Sequence, residues 1–263
     1  LAGYYERVAE SLSGKYPDLN VIVEPIGLRD HEKRVALGLS SGLDDATVLE
    51  LIGSTANRYI VNDLIQPAPG GVSAFVNDSS NFETFFQETA TVNGSVYGVP
   101  VFRGQGALFY NTDMLAAAGL EGPPTTMDEY DEYAAKLTQR DADGNPTVSG
   151  WSLRLSGGGG GIAEKFWINL HQYGGTLLEQ EGDNYRAGYA NEMGLAALKQ
   201  YVNAVSGLKT VTVEMPADSA AFQREQTAMF IRESWVIGDT AKKAPDLNYK
   251  TAVLPRGSIA LPV

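Results

Sequence analysis

The sequence predicts an α/β fold, on three observations. Apolar periodicity switches repeatedly between the helical and the strand repeat, glycine- and proline-marked turns separate the segments, and no apolar run approaches a membrane span in length. The longest such runs, at 107–110 and 114–118, fall far short of the roughly 20 residues a spanning helix needs. With 263 residues the chain has room for one large domain or for two lobes, at about 150 residues per domain.

The elements follow in order. Residues 1–13 set Tyr5, Val8 and Leu12 on one helical face, and Gly14 follows as a stop. Residues 20–26, between Pro17 and Gly27, alternate Val21 and Val23 against Ile22 and Glu24, which predicts a strand. A helix is predicted over 30–39, ended by Ser40-Ser41-Gly42, and then a short buried strand over 47–52. This opening order leads us to expect a first strand before Leu1. A helix is predicted over 81–88, a strand over 95–100 after the Asn93-Gly94 turn, and another over 107–111.

Thr126-Met127-Asp128-Glu129 reads as a capping box, in which hydroxyl and carboxylate satisfy free N–H groups at a helix start. Met127, Tyr130, Ala134 and Leu137 then form one apolar face. Residues 141–146 read as the turn of a hairpin leading to a strand at 151–155. Five consecutive glycines at 157–161 mark the point of greatest backbone freedom, before a helix over 163–173 that ends at Gly174-Gly175. Asn191 is placed to cap a helix running to about residue 205. A strand over 227–231, a helix over 235–243 and a strand over 249–254 complete the series. No repeat at a solenoid period is present.

Composition removes several classes of function. A formal charge of −12, from 32 acidic and 20 basic residues without a basic cluster, opposes nucleic-acid binding. The absence of cysteine rules out disulfides and thiolate sites, and His31 and His171 alone do not make a histidine-rich zinc site, so neither metal nor cofactor is expected. The glycine run lacks the Gly-Lys-Ser/Thr of a phosphate loop. Residues 141–145 lack the later ligands of a calcium loop. No Gly-x-Ser-x-Gly elbow is present. No basic-headed apolar segment opens the chain, so a signal segment is expected to be absent from it.

Four stretches resemble family 1 of the bacterial extracellular solute-binding proteins, the sugar-binding components of ABC importers that include the maltodextrin-binding proteins. Lys15-Tyr16-Pro17-Asp18-Leu19-Asn20-Val21 is similar to the family's "KYPDIKV". Asn93-Gly94-Ser95-Val96-Tyr97-Gly98-Val99-Pro100-Val101, then Ala107-Leu108-Phe109-Tyr110-Asn111-Thr112-Asp113-Met114-Leu115 and Pro124-Thr125-Thr126, resemble "GKVYGVP…LFYNKDLL…PPTTWDE". Gln172-Tyr173-Gly174-Gly175 with the helix through 194–198 resembles "EG…AL". Phe222-Gln223-Arg224-Glu225-Gln226-Thr227-Ala228-Met229, followed by Trp235, resembles "F..GKAAM…G.W".

The resemblance spans essentially the whole chain. It implies a two-lobed periplasmic-binding-protein fold of type II, with the ligand held between lobes. Residues 1–109 plus 249–263 would form the N-terminal lobe and 110–248 the C-terminal lobe, with hinges near 109–112 and 249–254. Family members commonly continue past the second hinge, so a partial sequence is expected, lacking the first strand and a C-terminal tail. The resemblance also implies a monomer outside the cytoplasm, periplasmic or extracellular. It would meet the membrane only through a lipid anchor or through the permease subunits that are its partners.

A sugar presents hydroxyl edges and apolar C–H faces, so its site needs planar polar groups together with aromatic rings. Trp235 matches the family's stacking tryptophan, and Glu233 is placed to accept hydroxyl hydrogen bonds. Arg103, Gly104 and Gln105 fall where the family approaches ligand from the hinge, with Arg103 suited to paired hydrogen bonds. Gly53, Ser54 and Thr55 follow a predicted strand, where open α/β sheets bind ligands. Trp151, Glu164 and Trp167 flank the glycine run and complete the candidates. Plainer alternatives stand beside them: core packing for Trp235 and Trp167, an ordinary helix start for Gly53-Ser54-Thr55 and Glu164, a surface salt bridge for Arg103 and a solvated carboxylate for Glu233. The implied function is capture of a small polar solute, a mono- or oligosaccharide, for an importer and without catalysis. The alternatives are a hydrolase using paired carboxylates and a sensor-linked binding protein.

Overall fold

A computed structural model describes residues 2–42, 48–154, 159–212, 214–216 and 218–257. The chain divides into two compact units, Leu1–Phe102 and Arg103–Val263.

In the first unit both expected helices form, but α1 (Ala2–Lys15) runs through the Gly14 expected to stop it, and α2 (Leu28–Ser41) starts two residues earlier and includes Ser40 and Ser41, ending only at Gly42. They are followed by α3 (Gly53–Ile60), α4 (Gly70–Asn77) and α5 (Thr84–Thr89), then by the hairpin of β1 (Thr91–Val92) and β2 (Ser95–Val96). Asn93 and Gly94 both take positive φ, 49° and 79°, as a two-residue hairpin turn requires. The strand expected over 95–100 is cut short: Val99-Pro100 follows, and proline has no N–H for a ladder. Helix α5 starts three residues later than expected, because the Asp78 carboxylate accepts from the Ser80 N–H at 2.8 Å and holds a turn there.

Two predicted strands do not form. Residues 20–26 and 48–52 pair with no ladder among the described residues, and Thr47 lies outside them. A strand exists only where a neighbour takes up its N–H and C=O groups. Both segments instead tie to α2. Arg34 Nη1 donates to Glu24 Oε2 at 2.7 Å, and His31 Nε2 donates to the Glu50 carbonyl at 2.7 Å. The buried apolar set of the unit is small, comprising Ala9, Val35, Tyr59, Ile60, Val76 and Val96.

The second unit begins with β3 (Gly106–Asn111), α6 (Thr112–Ala117), α7 (Met127–Leu137), β4 (Gln139–Arg140) and β5 (Pro146–Trp151). Next come α8 (Gly159–Gln172), the hairpin β6 (Leu178–Glu181) and β7 (Asn184–Ala187), and α9 (Glu192–Val202), which runs into a π-helical turn, Asn203–Gly207. It ends with α10 (Asp218–Gln223), β8 (Thr227–Glu233), α11 (Trp235–Lys243) and β9 (Tyr249–Ala252). Five strands form one sheet in the order β4-β5-β8-β3-β9. Strand β8 is central, parallel to β5 and antiparallel to β3.

The strand expected at 151–155 ends where it was to begin, since the ladder starts at the turn itself, with Arg140 opposite Pro146. Of the glycine run, Gly157 and Gly158 lie outside the described residues, while α8 already begins at Gly159. Residues 103–109 and the strand β9, expected in the first lobe, count with the second unit, where β9 pairs along β3 from Asn111↔Tyr249 to Leu108↔Ala252.

Thr227, Ala228, Met229 and Phe230 are fully buried, as a central strand covered on both faces requires. One face meets the apolar stripe of α7, with Met127, Tyr130, Ala134 and Leu137 packed against Leu108, Trp151 and Met229. On the other, Phe109, Phe222, Phe230 and Val236 form an aromatic cluster, with the Phe222 and Phe230 rings 4.7 Å apart. The capping box of α7 is complete: Thr126 Oγ1 accepts from the Glu129 N–H at 3.1 Å, and Glu129 Oε2 accepts from the Thr126 N–H at 3.3 Å.

Helix α7 lies directly on the backbone of β5, for a Cβ on Gly150 would overlap the Ala134 carbonyl. Gly150→Ala is therefore expected to lower unfolding free energy by about 2–4 kcal/mol. A loss below about 0.5 kcal/mol in urea titration would mean that α7 yields freely.

Burial pushes the Asp131 carboxyl up to about 6, against the hydrogen bond it accepts from Gln200. The folded chain then holds more protons than the unfolded one between about pH 4 and 6, and this group's contribution to stability falls as pH rises through that window. Asp131→Asn should stabilise by about 1 kcal/mol at pH 7, after discounting for its partial exposure, and by nothing at pH 3.5. Thermal unfolding at the two pH values measures the difference.

Candidate functional site

The carboxyl ends of the parallel strands β5 and β8 lie side by side, and charged groups collect there. Successive residues of a strand point to opposite faces, so Arg232 and Glu233 find different partners. Arg232 turns toward α10, where its Nε lies 3.4 Å from Asp218 Oδ2, and both side chains are buried. Its guanidinium also sits beneath the Trp235 indole, 5.0 Å from the ring centroid. Arg232 Nε and Nη1 have no hydrogen-bond partner among the described residues, so the pair with Asp218 is held by charge.

Glu233 points toward α8. Its Oε1 pairs with Lys165 Nζ, its Oε2 accepts from Trp235 Nε1 at 3.2 Å, and Arg232 Nη1 lies 3.6 Å away. Two donors and a further cation thus surround one carboxylate. Lys165 is itself buried, with Glu164 Oε1 at 3.7 Å. Burial pulls its ammonium down to about 8, with attraction to Glu164 and repulsion from Arg232 and Arg154 as the next influences.

The cations lie beneath the surface and the recognition groups above it. Trp235 is 49% exposed and Trp167 48% exposed, so each offers indole surface to a ligand. Glu164 and Trp167, three residues apart, share a face of α8. On the β3 side, the Ser234 N–H donates to the Gln105 carbonyl at 3.0 Å. A Cβ on Gly104 would stand 3.6 Å from Glu233 Cβ, so this backbone runs beside the carboxylate.

Of the residues named from sequence, the structure brings Trp235, Glu233, Gly104, Gln105 and Glu164 to this one edge. Trp167 is on the same helix as Glu164, and Arg103 is exposed one residue before Gly104. Trp151 ends β5 at this same edge, but its side chain turns into the core. It is 4% exposed and its ring packs edge-on against Tyr130 and Tyr201, centroids 5.0 and 5.9 Å away, because it ends a central-sheet strand beneath α7. Gly53, Ser54 and Thr55 form the first turn of α3 in the first unit, where the Thr55 N–H is taken by the Ile52 carbonyl at 2.9 Å. Sequence reasoning missed Lys165, Arg232 and Asp218. The available signal was a pair of charges, Arg232-Glu233, closing a strand whose preceding residues are apolar.

Residues 8–261 match the model of a family described as bacterial extracellular solute-binding protein. The chain belongs to that family. Among curated relatives, a binding protein of Brucella abortus is 22% identical over 260 residues, covering 97% of this chain and 60% of that one. A lactose-binding protein of Rhizobium radiobacter is 26% identical over 258 residues, covering 94% and 56%. The chain thus spans less than two thirds of the length of these relatives. Among solved structures, an ABC substrate-binding protein from Listeria monocytogenes in complex with cycloalternan superposes with a TM-score of 0.78 at 20% identity, covering 97% and 63%. The fold is the two-lobed α/β fold of solute-binding proteins.

The Arg232–Asp218 pair permits a direct test of how this edge is held. Arg232→Met should destabilise by about 3 kcal/mol, because it leaves Asp218 buried without a counter-charge. Adding Asp218→Asn should recover at least a third of that loss in denaturant titration. No recovery would show that Arg232 acts through packing.

Proposed function

We propose that the protein is the extracytoplasmic solute-binding component of an ABC importer, and that it captures a mono- or oligosaccharide without altering it. The observation that carries this reading is the half-exposed Trp235 indole, backed by Arg232 and hydrogen-bonded to a carboxylate that Lys165 holds. The ring supplies an apolar face for sugar C–H groups, and Glu233 retains acceptor capacity for hydroxyls.

The relatives support the solute class: the Rhizobium protein is named for lactose, and the Listeria structure contains cycloalternan. In this reading the two lobes close on the ligand, and the closed form is selected because it contacts the solute from both sides. Trp235, Trp167, Glu233, Glu164, Gly104, Gln105 and Arg103 would contact the ligand. The partners would be permease subunits, and the location periplasmic or extracellular. No helix among the described residues is long and apolar enough to cross a membrane.

Thermal unfolding against a panel of sugars, polyols and sugar phosphates tests the proposal. A ligand at about 100 times its Kd adds about 2.7 kcal/mol, or roughly 5–10 °C at this size. Trp235→Ala should abolish the shift while leaving the Tm without ligand within about 2 °C, since half of the ring is already exposed. Silence across the panel would overturn the sugar assignment. Recovery of a cleaved sugar would overturn the reading as a binding protein.

A further inference from the structure

Lys165 is a buried charge at this edge, with Glu233 and Glu164 as its counter-charges. It reaches out of α8 to grip Glu233, the same carboxylate that receives the Trp235 N–H. The indole is thus fixed twice, by its N–H on Glu233 and by the Arg232 guanidinium against its face. Arginine keeps its charge throughout the accessible pH range, so only the first of these restraints can be released by titration.

We propose that Lys165 is the positioning residue of the site: its ammonium locks Glu233, and through Glu233 the Trp235 indole, in the orientation that receives the ligand. The ligand half of this statement rests on the proposed function, and the side-chain half does not. Among the described residues, five charged groups face Lys165. Glu164 lies on its own helix, Glu233 and Arg232 on β8, Asp218 at the start of α10, and Arg154 just beyond β5.

With both cations against it, burial leaves the ammonium at about 8. Glu233 pulls the other way, so the proton is lost at or somewhat above that pH. Neutral Lys165 no longer offers Glu233 a charge-assisted hydrogen bond. The carboxylate then keeps only the Trp235 N–H and the Arg232 charge 3.6 Å away, and is less restrained from turning toward water and leaving the indole N–H.

Intrinsic tryptophan emission and acrylamide quenching of the ligand-free protein, followed from pH 7 to 9.2, test the side-chain half. A single step with a midpoint at or above pH 8 is expected. It should survive Trp167→Phe, disappear in Trp235→Phe, and disappear in Lys165→Arg, which keeps its charge over this range. Lys165→Met should show the high-pH emission at every pH, with far-UV circular dichroism confirming the fold. If that variant does not fold, Lys165→Arg alone decides the matter.

A flat emission in the natural protein, or a step that persists in Lys165→Arg, would overturn the proposal. The sugar panel repeated at pH 7 and 9 tests the ligand half. Any sugar that binds should bind about tenfold more weakly at pH 9, and equally at both pH values in Lys165→Arg. Equal affinity at the two pH values in the natural protein would overturn the ligand half. Silence at both pH values would sink the proposed function, while the emission step would still decide the role of Lys165.

Discussion

Strand β8 is the constraint on which the second unit depends. It lies third of five in its sheet, so both backbone edges are taken up by ladders and both faces are covered. Such a strand must be apolar along its length, and from Ala228 to Ile231 it is. It cannot stay apolar where it emerges toward solvent, and the change to Arg232-Glu233 takes place within one residue. Because neighbouring strand residues face opposite ways, this single change engages two separate partners, Asp218 on α10 and Lys165 on α8. The strand that organises the core therefore also fixes the charge arrangement beneath Trp235.

That arrangement is stiff for an electrostatic reason. Arg232 and Lys165 are buried charges, tolerable only while a counter-charge stays in contact. Neither Asp218 nor Glu233 can swing away without stranding its partner. A side chain so held loses little freedom when a ligand arrives, and binding is correspondingly less opposed by ordering. Trp235 gains from this, since the groups on its back face and at its N–H are themselves restrained.

What could be read from the sequence follows from how local each signal is. The capping box of α7, its apolar stripe and the helix beginning at Trp235 depend on contacts within a few residues, and they stand in the structure as expected. The Asn93-Gly94 turn likewise carries its own φ requirement. Strands are different, because alternation states only that a segment suits a sheet. Residues 20–26 and 48–52 have that pattern and no ladder among the described residues. The site was legible in part for the same reason. Trp235 and Glu233 were marked by a motif, whereas Lys165 lies 68 residues from the carboxylate it grips. Nothing in the pattern of α8 separates it from an ordinary solvated lysine. Trp151 and Trp167 illustrate the converse: both flank the glycine run, and only packing against Tyr130 and Tyr201 buries the first while the second stays half exposed.

Stability and recognition pull against each other at this edge. Replacing a buried ion pair by apolar side chains of similar volume is often neutral or stabilising by 1–4 kcal/mol, so a chain shaped for stability alone has little use for Lys165 opposite Glu233. An apolar pair would pack, but it would leave the Trp235 N–H without its acceptor and a polyhydroxylated ligand without a fixed one. The choice of residue type makes the same point. A lysine, whose ammonium loses charge readily when buried, holds the carboxylate at neutral pH and can release it in alkali. An arginine in its place would hold it permanently. The second buried cation at this edge is an arginine, and it supports the face of the indole. Of the two restraints on Trp235, one is thus permanent and one is conditional, and that difference lies in side-chain chemistry that the fold alone does not dictate.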